Sequence, residues 1–189
     1  KHEYVTGLKK FYSTWNNGFA QLLADEGVQE LGDTSAFQNM TGDCFTVNAT
    51  VASCEPFFNG MKKYFRFNVM DRPSTYAKKR MDGLRVGVSW DNVLLLPDGA
   101  VISNFYFYKA SEKSPKTEAQ IRAAGGHMFS WQGGIWIDVN GFKKPNVYGK
   151  DIFGFYVSGD GKLFPYGGKD DSISGNGSYW RNNEYYCGH

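Results

Sequence analysis

Apolar side chains recur every three or four residues between positions 4 and 24, which is the spacing of one face of an α-helix. The set comprises Tyr4, Val5, Leu8, Phe11, Tyr12, Trp15, Phe19, Leu22 and Leu23. Gly27 comes shortly after them, and glycine is the residue that most often ends a helix. The pattern therefore predicts one long amphipathic helix whose apolar stripe packs on another element, most simply a sheet.

Beyond residue 83 the period changes to the alternation typical of half-buried strands. Such runs, or short continuous apolar runs, occupy positions 84–90, 93–96, 100–108, 134–139, 152–157 and 162–165. Pro97-Asp98-Gly99 separates two of them, and Asp-Gly predicts a type I′ hairpin turn, in which both central residues have positive φ. Asp160-Gly161 predicts another turn before the last run. Strands joined by short polar turns are typical of an antiparallel meander.

A helix followed by strands predicts an α+β fold, with the N-terminal amphipathic helix packed on an antiparallel β-meander sheet. The chain has 189 residues, which suits one domain with a proper core. We divide it into residues 1–27, the helix, residues 28–83, a variable region of short helices and loops, and residues 84–189, the sheet and C-terminal loops. Within the variable region, positions 61–69 fit either a helix or a strand.

The composition is that of a globular protein: 41% of residues are hydrophobic, 21% are charged, and the formal net charge is +2. A charge this small does not point to nucleic acid as a partner. The basic run Lys78-Lys79-Arg80 is typical of a solvated surface turn rather than of a nucleic-acid patch. Aromatic residues and glycines are frequent, and they favour strands and tight turns.

No set of residues in the sequence points to catalysis. His127 is followed by Ser130 and Asp138, but no nucleophile elbow surrounds the serine. The glycine pairs at 125–126 and 133–134 lack the Lys-Ser/Thr that completes a phosphate-binding loop. The cysteine spacing matches no metal-binding pattern. We predict that the protein is not an enzyme.

Cys44, Cys54 and Cys187 are the three cysteines. A bond between the first two closes a loop of about ten residues, which the chain-entropy model values at up to about 3 kcal/mol. We favour this pairing, and Cys187 is then either free or paired with a cysteine beyond His189. The alternative is three reduced, buried thiols in a cytosolic protein.

Four oxygen-bearing side chains cluster between positions 138 and 151: Asp138, Asn140, Asn146 and Asp151. Calcium takes ligands of this kind. The twelve-residue calcium loop, however, needs a side-chain oxygen at its fifth position and Glu at its twelfth, where this segment has Phe142 and Gly149. The alternative is a structural turn in which Asp and Asn bond to their own backbone. The segment is therefore a candidate calcium site with a structural alternative.

Six aromatic residues lie in polar, glycine-rich surroundings in the C-terminal third: Tyr148, Tyr166, Tyr179, Trp180, Tyr185 and Tyr186. They belong either to a strand or loop packed on the sheet, or to a surface for a sugar, a peptide or another subunit. Residues 167–178, rich in Gly, Ser, Asn and Asp, predict a surface loop.

Several short sequence motifs in this chain together resemble those of the type IV pilins and pseudopilins. The clearest match is Gly-Ile-Trp-Ile-Asp-Val-Asn-Gly at 134–141, followed by Lys-Pro-Asn at 144–146 and Gly-Lys-Asp-Ile-Phe-Gly-Phe at 149–155. It is similar to a stretch near the C terminus of many pilin-like proteins, as are Gly161, Leu163 and Pro165 after it. Leu-Pro-Asp-Gly at 96–99 resembles the family's Ala-Asp-Gly hairpin. The first helix resembles the extracytoplasmic half of the long pilin helix.

The resemblance implies a non-catalytic structural subunit of a type IV pilus or of a secretion pseudopilus. The helix would pack on the sheet or on other pilin or pseudopilin subunits through Val5, Leu8, Tyr12, Trp15 and Phe19. The sheet domain and its loops would then face outward at the filament surface or tip.

The same resemblance implies a leader and an apolar helix half upstream of Lys1, and inner-membrane assembly machinery as a partner. It places the protein at the bacterial cell surface or in an extracellular filament, with an inner-membrane pool before assembly. Calcium is the one cofactor it allows, and a host or surface ligand of the loops is left open. The alternative function is a secreted adhesin, or a carbohydrate- or protein-binding module, unrelated to pili.

Overall fold

The structure is a computed structural model, and it describes residues 2–42, 44–45, 51–78, 92–113 and 130–165. Its helices are α1 (His2–Glu26), α2 (Ser35–Gln38) and α3 (Val51–Met61), with a 3-10 turn at Leu31–Asp33. Its strands are β1 (Cys44–Phe45), β2 (Asn68–Asp71), β3 (Asn92–Leu95), β4 (Val101–Lys113), β5 (Ser130–Asp138), β6 (Ile152–Ser158) and β7 (Leu163–Pro165). A long helix followed mainly by strands confirms the α+β class.

The strands form one antiparallel sheet in the order β2-β3-β4-β5-β6-β7. Neighbours in this order are neighbours along the described chain, as in a meander. The short β1 also pairs with β4, opposite Phe107 and Tyr106, beyond the part of β4 that pairs with β3. β1 and β2 come from the variable region, and strands of two and four residues are too short to show alternation in a sequence.

The long helix α1 ends where the sequence predicts. Gly27 adopts a left-handed φ of 66°, which costs glycine little because it has no Cβ. Its N–H donates to the carbonyl of Ala24 at 3.2 Å, and the N–H of Val28 donates to that of Leu23 at 3.1 Å. This pair of hydrogen bonds is a Schellman motif, which satisfies carbonyls left free by the last turn. None of the helices in the described residues has the length and hydropathy needed to cross a membrane.

The main core lies between the helices and one face of the sheet. α1 contributes Phe11, Trp15, Phe19 and Leu22, and each of these side chains is at most 5% exposed. The Phe65 ring packs on Trp15 with 4.4 Å between ring centroids, and on Phe19 with 5.0 Å. Rings at these separations attract one another in addition to the area they bury. The aromatic cluster thus ties α1 to the segment between α3 and β2, and Phe11 packs on Phe155 of β6 with 5.7 Å between ring centroids.

The predicted hairpin between β3 and β4 is present, but its turn is not type I′. The Gly99 N–H donates to the Leu96 carbonyl at 3.0 Å and the Leu96 N–H to that of Ala100 at 2.9 Å, so the loop has three residues. Within the loop, positive φ occurs at Gly99, with 85°. A type I′ turn centred on Asp98 and Gly99 would need an N–H from Pro97, which proline lacks.

Cys44 and Cys54 form the predicted disulfide, with 5.6 Å between their Cα atoms. Both residues are buried. The bond ties β1, at the sheet, to α3, so it anchors part of the variable region to the core. Cys187 lies outside the described residues, and its pairing stays open.

Other predictions also fall outside the described residues. They are the strand at 84–90, His127, the loop at 167–178 and the aromatic residues from Tyr166 onward. The ambiguous stretch 61–69 is described: α3 ends at Met61, and β2 begins at Asn68.

Candidate assembly face and buried polar turn

The five predicted assembly residues do not share one environment on α1. Trp15 and Phe19 are buried in the main core. Val5 is 46% exposed and Tyr12 is 43% exposed, whereas Leu8 is half-buried. The predicted face is therefore divided between the core and the surface.

Helix geometry explains the division. Positions 11, 15, 18 and 22 lie three or four residues apart and face the sheet, whereas Val5, Leu8 and Tyr12 form a neighbouring stripe. The sequence pattern does not distinguish the two stripes, because both consist of apolar residues. Among the described residues, Val5 and Tyr12 are the exposed large hydrophobic side chains. Val5, Leu8 and Tyr12 are called the exposed stripe below.

An apolar groove lies beside the exposed stripe, between α1 and the part of the sheet formed by β6 and β7. Leu8 and Tyr12 line its helix side, and Phe153, Phe155 and Pro165 line its sheet side. Its volume is about 440 Å³. The Tyr12 ring lies 6.0 Å from the Phe155 ring, so the tyrosine forms one wall. The exposed stripe and this groove together form the helix flank.

The opposite side of α1 has a smaller cleft, of about 290 Å³, in which charged side chains take part. Lys10 and Asp98 form an ion pair there, with 2.9 Å between Nζ and Oδ2. Because both side chains are well exposed, the pair stabilises the fold by less than about 1 kcal/mol. The helix flank is therefore the more apolar candidate surface on α1.

Residues 138–151 form a turn held by its own side chains. The Asp151 carboxylate accepts the N–H of Asn146 at 2.8 Å and that of Val147 at 2.5 Å. Asp138 Oδ1 accepts the N–H of Asn140 at 3.3 Å. Carboxylate-to-backbone bonds of this kind are those of the structural alternative to a calcium site.

The structure brings the four predicted calcium ligands into this one turn. Asp138 and Asp151 are buried, and the Oδ1 atoms of Asn140 and Asn146 are buried without a hydrogen-bond partner. Two carboxylates and two unpaired amide oxygens are donors that suit calcium. No three acidic, histidine or cysteine side chains converge within the described residues, so an ion here would depend on the amides. Calcium binding stays a prediction.

Lys78 places a buried amine beside this turn. Its side chain is 2% exposed, and its Nζ donates to the Ser103 carbonyl at 3.1 Å. The interpretation of the basic run as a solvated turn is therefore wrong for Lys78, while Lys79 and Arg80 lie outside the described residues. Burial lowers the pKa of Lys78 to about 7, and the nearby Asp138 carboxylate partly opposes this shift.

Asp138 joins the turn to the segment that follows β2. Asp138 follows Ile137 on β5, and adjacent side chains of a strand point to opposite faces of the sheet. Because Ile137 belongs to the main core, Asp138 points to the other face. Its Oδ2 accepts the hydroxyl of Tyr76 at 2.8 Å. Burial raises the pKa of Asp138 to about 8, against the effect of the Tyr76 hydrogen bond, and Asp151 raises it further. Tyr76 and Lys78 thus hold their segment across this face of the sheet.

Tyr148 is not an exposed aromatic residue. It is 5% exposed and packs with Trp136, Ile152 and Tyr156 in a second hydrophobic cluster. Lys78 Nζ lies 5.9 Å from the centre of its ring. For Tyr148 the packed interpretation is therefore confirmed.

The calcium hypothesis makes a measurable prediction. A hundredfold excess of calcium over Kd stabilises the native state by about 2.7 kcal/mol. For a domain of this length the melting temperature should then be roughly 5–10 °C higher in calcium than in chelator. The measurement is differential scanning calorimetry of the protein in both buffers.

Two variants decide whether that shift belongs to the turn. Asp138→Ala removes one proposed ligand and should abolish the difference between calcium and chelator. Asp98→Ala, in the β3–β4 hairpin, should retain it. Identical curves for the unaltered protein would leave the turn as a purely hydrogen-bonded structure.

Comparison of the chain with models of known protein families, with curated proteins and with solved structures finds no match. The pilin resemblance therefore depends on the short sequence motifs described above.

Proposed function

We propose that the chain is the extracytoplasmic part of a type IV pilin-like subunit of a pilus or a secretion pseudopilus. The observation that carries this proposal is the helix flank. α1 buries one apolar stripe in the core and leaves a second one, with Val5 and Tyr12, facing outward. An apolar stripe beside an apolar groove is a surface suited to another protein. A subunit that packs through its first helix needs such a surface.

The turn formed by residues 138–151 supports the same role. Asn140 Nδ2 donates to the Tyr4 hydroxyl at 3.2 Å, so the turn contacts the first part of α1. Val139, in the same segment, would lie 3.5 Å from a Cβ placed at Gly7. The hydrogen bond joins the first part of α1 to the turn that follows β5, and Gly7 leaves room for their close approach. The turn with the pilin-like sequence is thus placed where it orients the proposed assembly helix.

In this role the protein works by assembly and needs no catalytic group. Its partners are other pilin or pseudopilin subunits, with the inner-membrane machinery acting before assembly. Packing of one face on a different face of the next copy does not close on itself, so it builds a filament. The location is then the bacterial cell surface or an extracellular filament.

The double variant Val5→Asp with Tyr12→Asp should prevent filament formation and leave the domain folded. Both side chains are more than 40% exposed, so together the two charges should cost the free domain no more than about 2 kcal/mol and leave it folded. An unpaired charge buried between subunits costs several kilocalories per mole and is not tolerated. Electron microscopy of filaments sheared from the source bacterium, together with a melting curve of the purified domain, measures both effects.

The matched control is Asn17→Asp, an exposed position on α1 away from the exposed stripe, which should assemble normally. Normal filaments from the double variant would refute the proposal. The gene offers a second check, because the codons before Lys1 should encode a short leader and about 20 apolar residues.

A further inference from the structure

We propose that three exposed lysines at one end of the domain, Lys143, Lys144 and Lys150, bind the anionic headgroups of a phospholipid membrane. They belong to the turn of residues 138–151 and are called the basic turn below. The direction from which the membrane approaches rests on the proposed function, whereas the binding of anionic lipid does not.

The exposed charges of this turn all have the same sign. Between positions 139 and 150 the charged residues are the three lysines, and each is exposed. The carboxylates on either side of this stretch, Asp138 and Asp151, are buried and accept N–H groups of the turn itself. The ion pairs of the described residues do not include the basic turn. The described surface of the turn is therefore positively charged.

The basic turn lies at the N-terminal end of α1. Asn140 Nδ2 donates to the Tyr4 hydroxyl, near the start of the helix, at 3.2 Å and to the Lys144 carbonyl at 3.4 Å. Val139 lines the smaller cleft, on the side of α1 opposite the helix flank. A membrane in contact with the basic turn therefore leaves the helix flank free for a second subunit.

The other end of α1 carries the opposite charge. Asp25 and Glu26 belong to its last turn, and Glu30 follows. Burial raises the pKa of Glu30, and the neighbouring carboxylates of Asp160 and Asp33 raise it further, so acidic groups crowd together here. With 25 residues α1 is about 37 Å long, several times the Debye length of about 10 Å in 0.1 M salt. The domain thus has a positive and a negative end, and an anionic surface attracts the positive one.

This polarity agrees with the way a pilin-like subunit would meet the membrane. In the proposed function an apolar helix half upstream of Lys1 is anchored in the bilayer, so the membrane lies at the N-terminal end of α1. A lysine held near an anionic bilayer strengthens binding about fivefold, and three strengthen it about a hundredfold. Stable anchoring needs an apolar insertion in addition to basic residues. The basic turn would therefore orient an anchored subunit before its assembly.

Vesicle partitioning of the 189-residue chain tests the contact. The protein is sedimented at low ionic strength with vesicles of phosphatidylglycerol and phosphatidylcholine in equal parts, or of phosphatidylcholine alone. We expect the partition coefficient on the anionic vesicles to be about a hundredfold higher, and to fall as salt is added. The triple variant Lys143→Gln, Lys144→Gln, Lys150→Gln should lose most of this preference.

The matched control is Lys62→Gln, Lys63→Gln, Lys162→Gln. It removes three exposed lysines near the acidic end, where Lys63 pairs with Asp25 and Lys162 with Asp160. The net charge of the protein changes equally in both triple variants, so the control should keep the preference for anionic vesicles. Melting curves of both variants should match that of the unaltered protein, because every replaced side chain is exposed.

Several results would overturn the inference. Equal partitioning of the unaltered protein on both kinds of vesicle would reject the contact with anionic lipid. An equal loss in the two triple variants would reduce it to an effect of net charge, and unchanged binding of the basic-turn variant would exclude these lysines. Self-association at low salt without vesicle binding, abolished in the basic-turn variant, would assign the turn to the acidic end of a second copy. None of these results involves the helix flank, so the filament proposal keeps its own test.

Discussion

Asp138→Ala should lower the free energy of unfolding by about 2–4 kcal/mol. The substitution removes the oxygen that accepts the buried Tyr76 hydroxyl from 2.8 Å away. It also removes the acceptor of the Asn140 N–H. Denaturant unfolding of both proteins measures the difference.

The control for this prediction is Asp138→Asn, which keeps the shape of a protonated aspartate. The amide oxygen of the asparagine can still accept the Tyr76 hydroxyl. The variant loses only the hydrogen bond from the Asn140 N–H, so near pH 6 the substitution should cost about 1 kcal/mol. If the alanine variant were as stable as the asparagine variant, the Tyr76 bond would not be what holds the segment to the sheet.

The stability of the protein should fall as pH rises from about 4 to about 8. Burial raises the pKa of Asp138 from 3.8 to about 8, so in this interval the folded chain keeps a proton that the unfolded chain releases. The contribution of Asp138 is complete below pH 4 and is lost as pH rises through 8. Lys78 acts in the opposite sense, because its pKa is lowered from 10.5 to about 7 and folding is favoured again as pH rises above 7.

These two groups together place a minimum of stability between about pH 7 and 8. Unfolding curves at several pH values should show it. Subtracting the curve of the Asp138→Asn protein isolates the aspartate, and this difference should account for the decline between pH 4 and 8. A difference that does not change with pH would mean that Asp138 ionises normally.

Gly133→Ala should destabilise the protein by about 3 kcal/mol or more. A Cβ at this position would overlap the backbone oxygen of Tyr106 and the ring of Phe107 on β4. Phe107 lies directly opposite Gly133 in the β4–β5 ladder, so the clash can be relieved only by separating two paired strands in the middle of the sheet. Thermal or denaturant unfolding measures the loss.

Gly42→Ala is the matched control. A Cβ there would have no atom within 4 Å, and Gly42 does not have positive φ, so the change should stay within about 0.5 kcal/mol. Unchanged stability of the Gly133 variant would mean that β4 and β5 do not pair in this register.

Features that depend on residues close in sequence could be predicted without the structure. The periodicity of α1 and its end at Gly27 involve contacts within one or two helical turns. The β3–β4 hairpin and the Cys44–Cys54 bond each join positions at most about ten residues apart. The calcium hypothesis is similarly local and stays a prediction: in the structure Asp138 accepts the Asn140 N–H and Asp151 accepts the Asn146 N–H.

The tertiary structure decided which apolar side chains of α1 are buried. Phe11 and Tyr12 both count as apolar positions in the helical periodicity, yet Phe11 is 5% exposed and Tyr12 is 43% exposed. The difference comes from the position of the sheet relative to the helix axis, about which local periodicity carries no information. The candidate assembly face is therefore a property of the packing of α1 on the sheet.

The same holds for the polar cluster. Lys78 lies in a basic run that predicts exposure, and Tyr76 has no sequence signal that connects it with Asp138, which is 62 residues away. Both side chains are buried because their segment crosses the sheet above Asp138 and Ser103. By itself the sequence determined the local elements, since their hydrogen bonds and side-chain periods are short-range. Burial, charge and pKa depend on which distant segment covers a residue, and only the folded chain decides that.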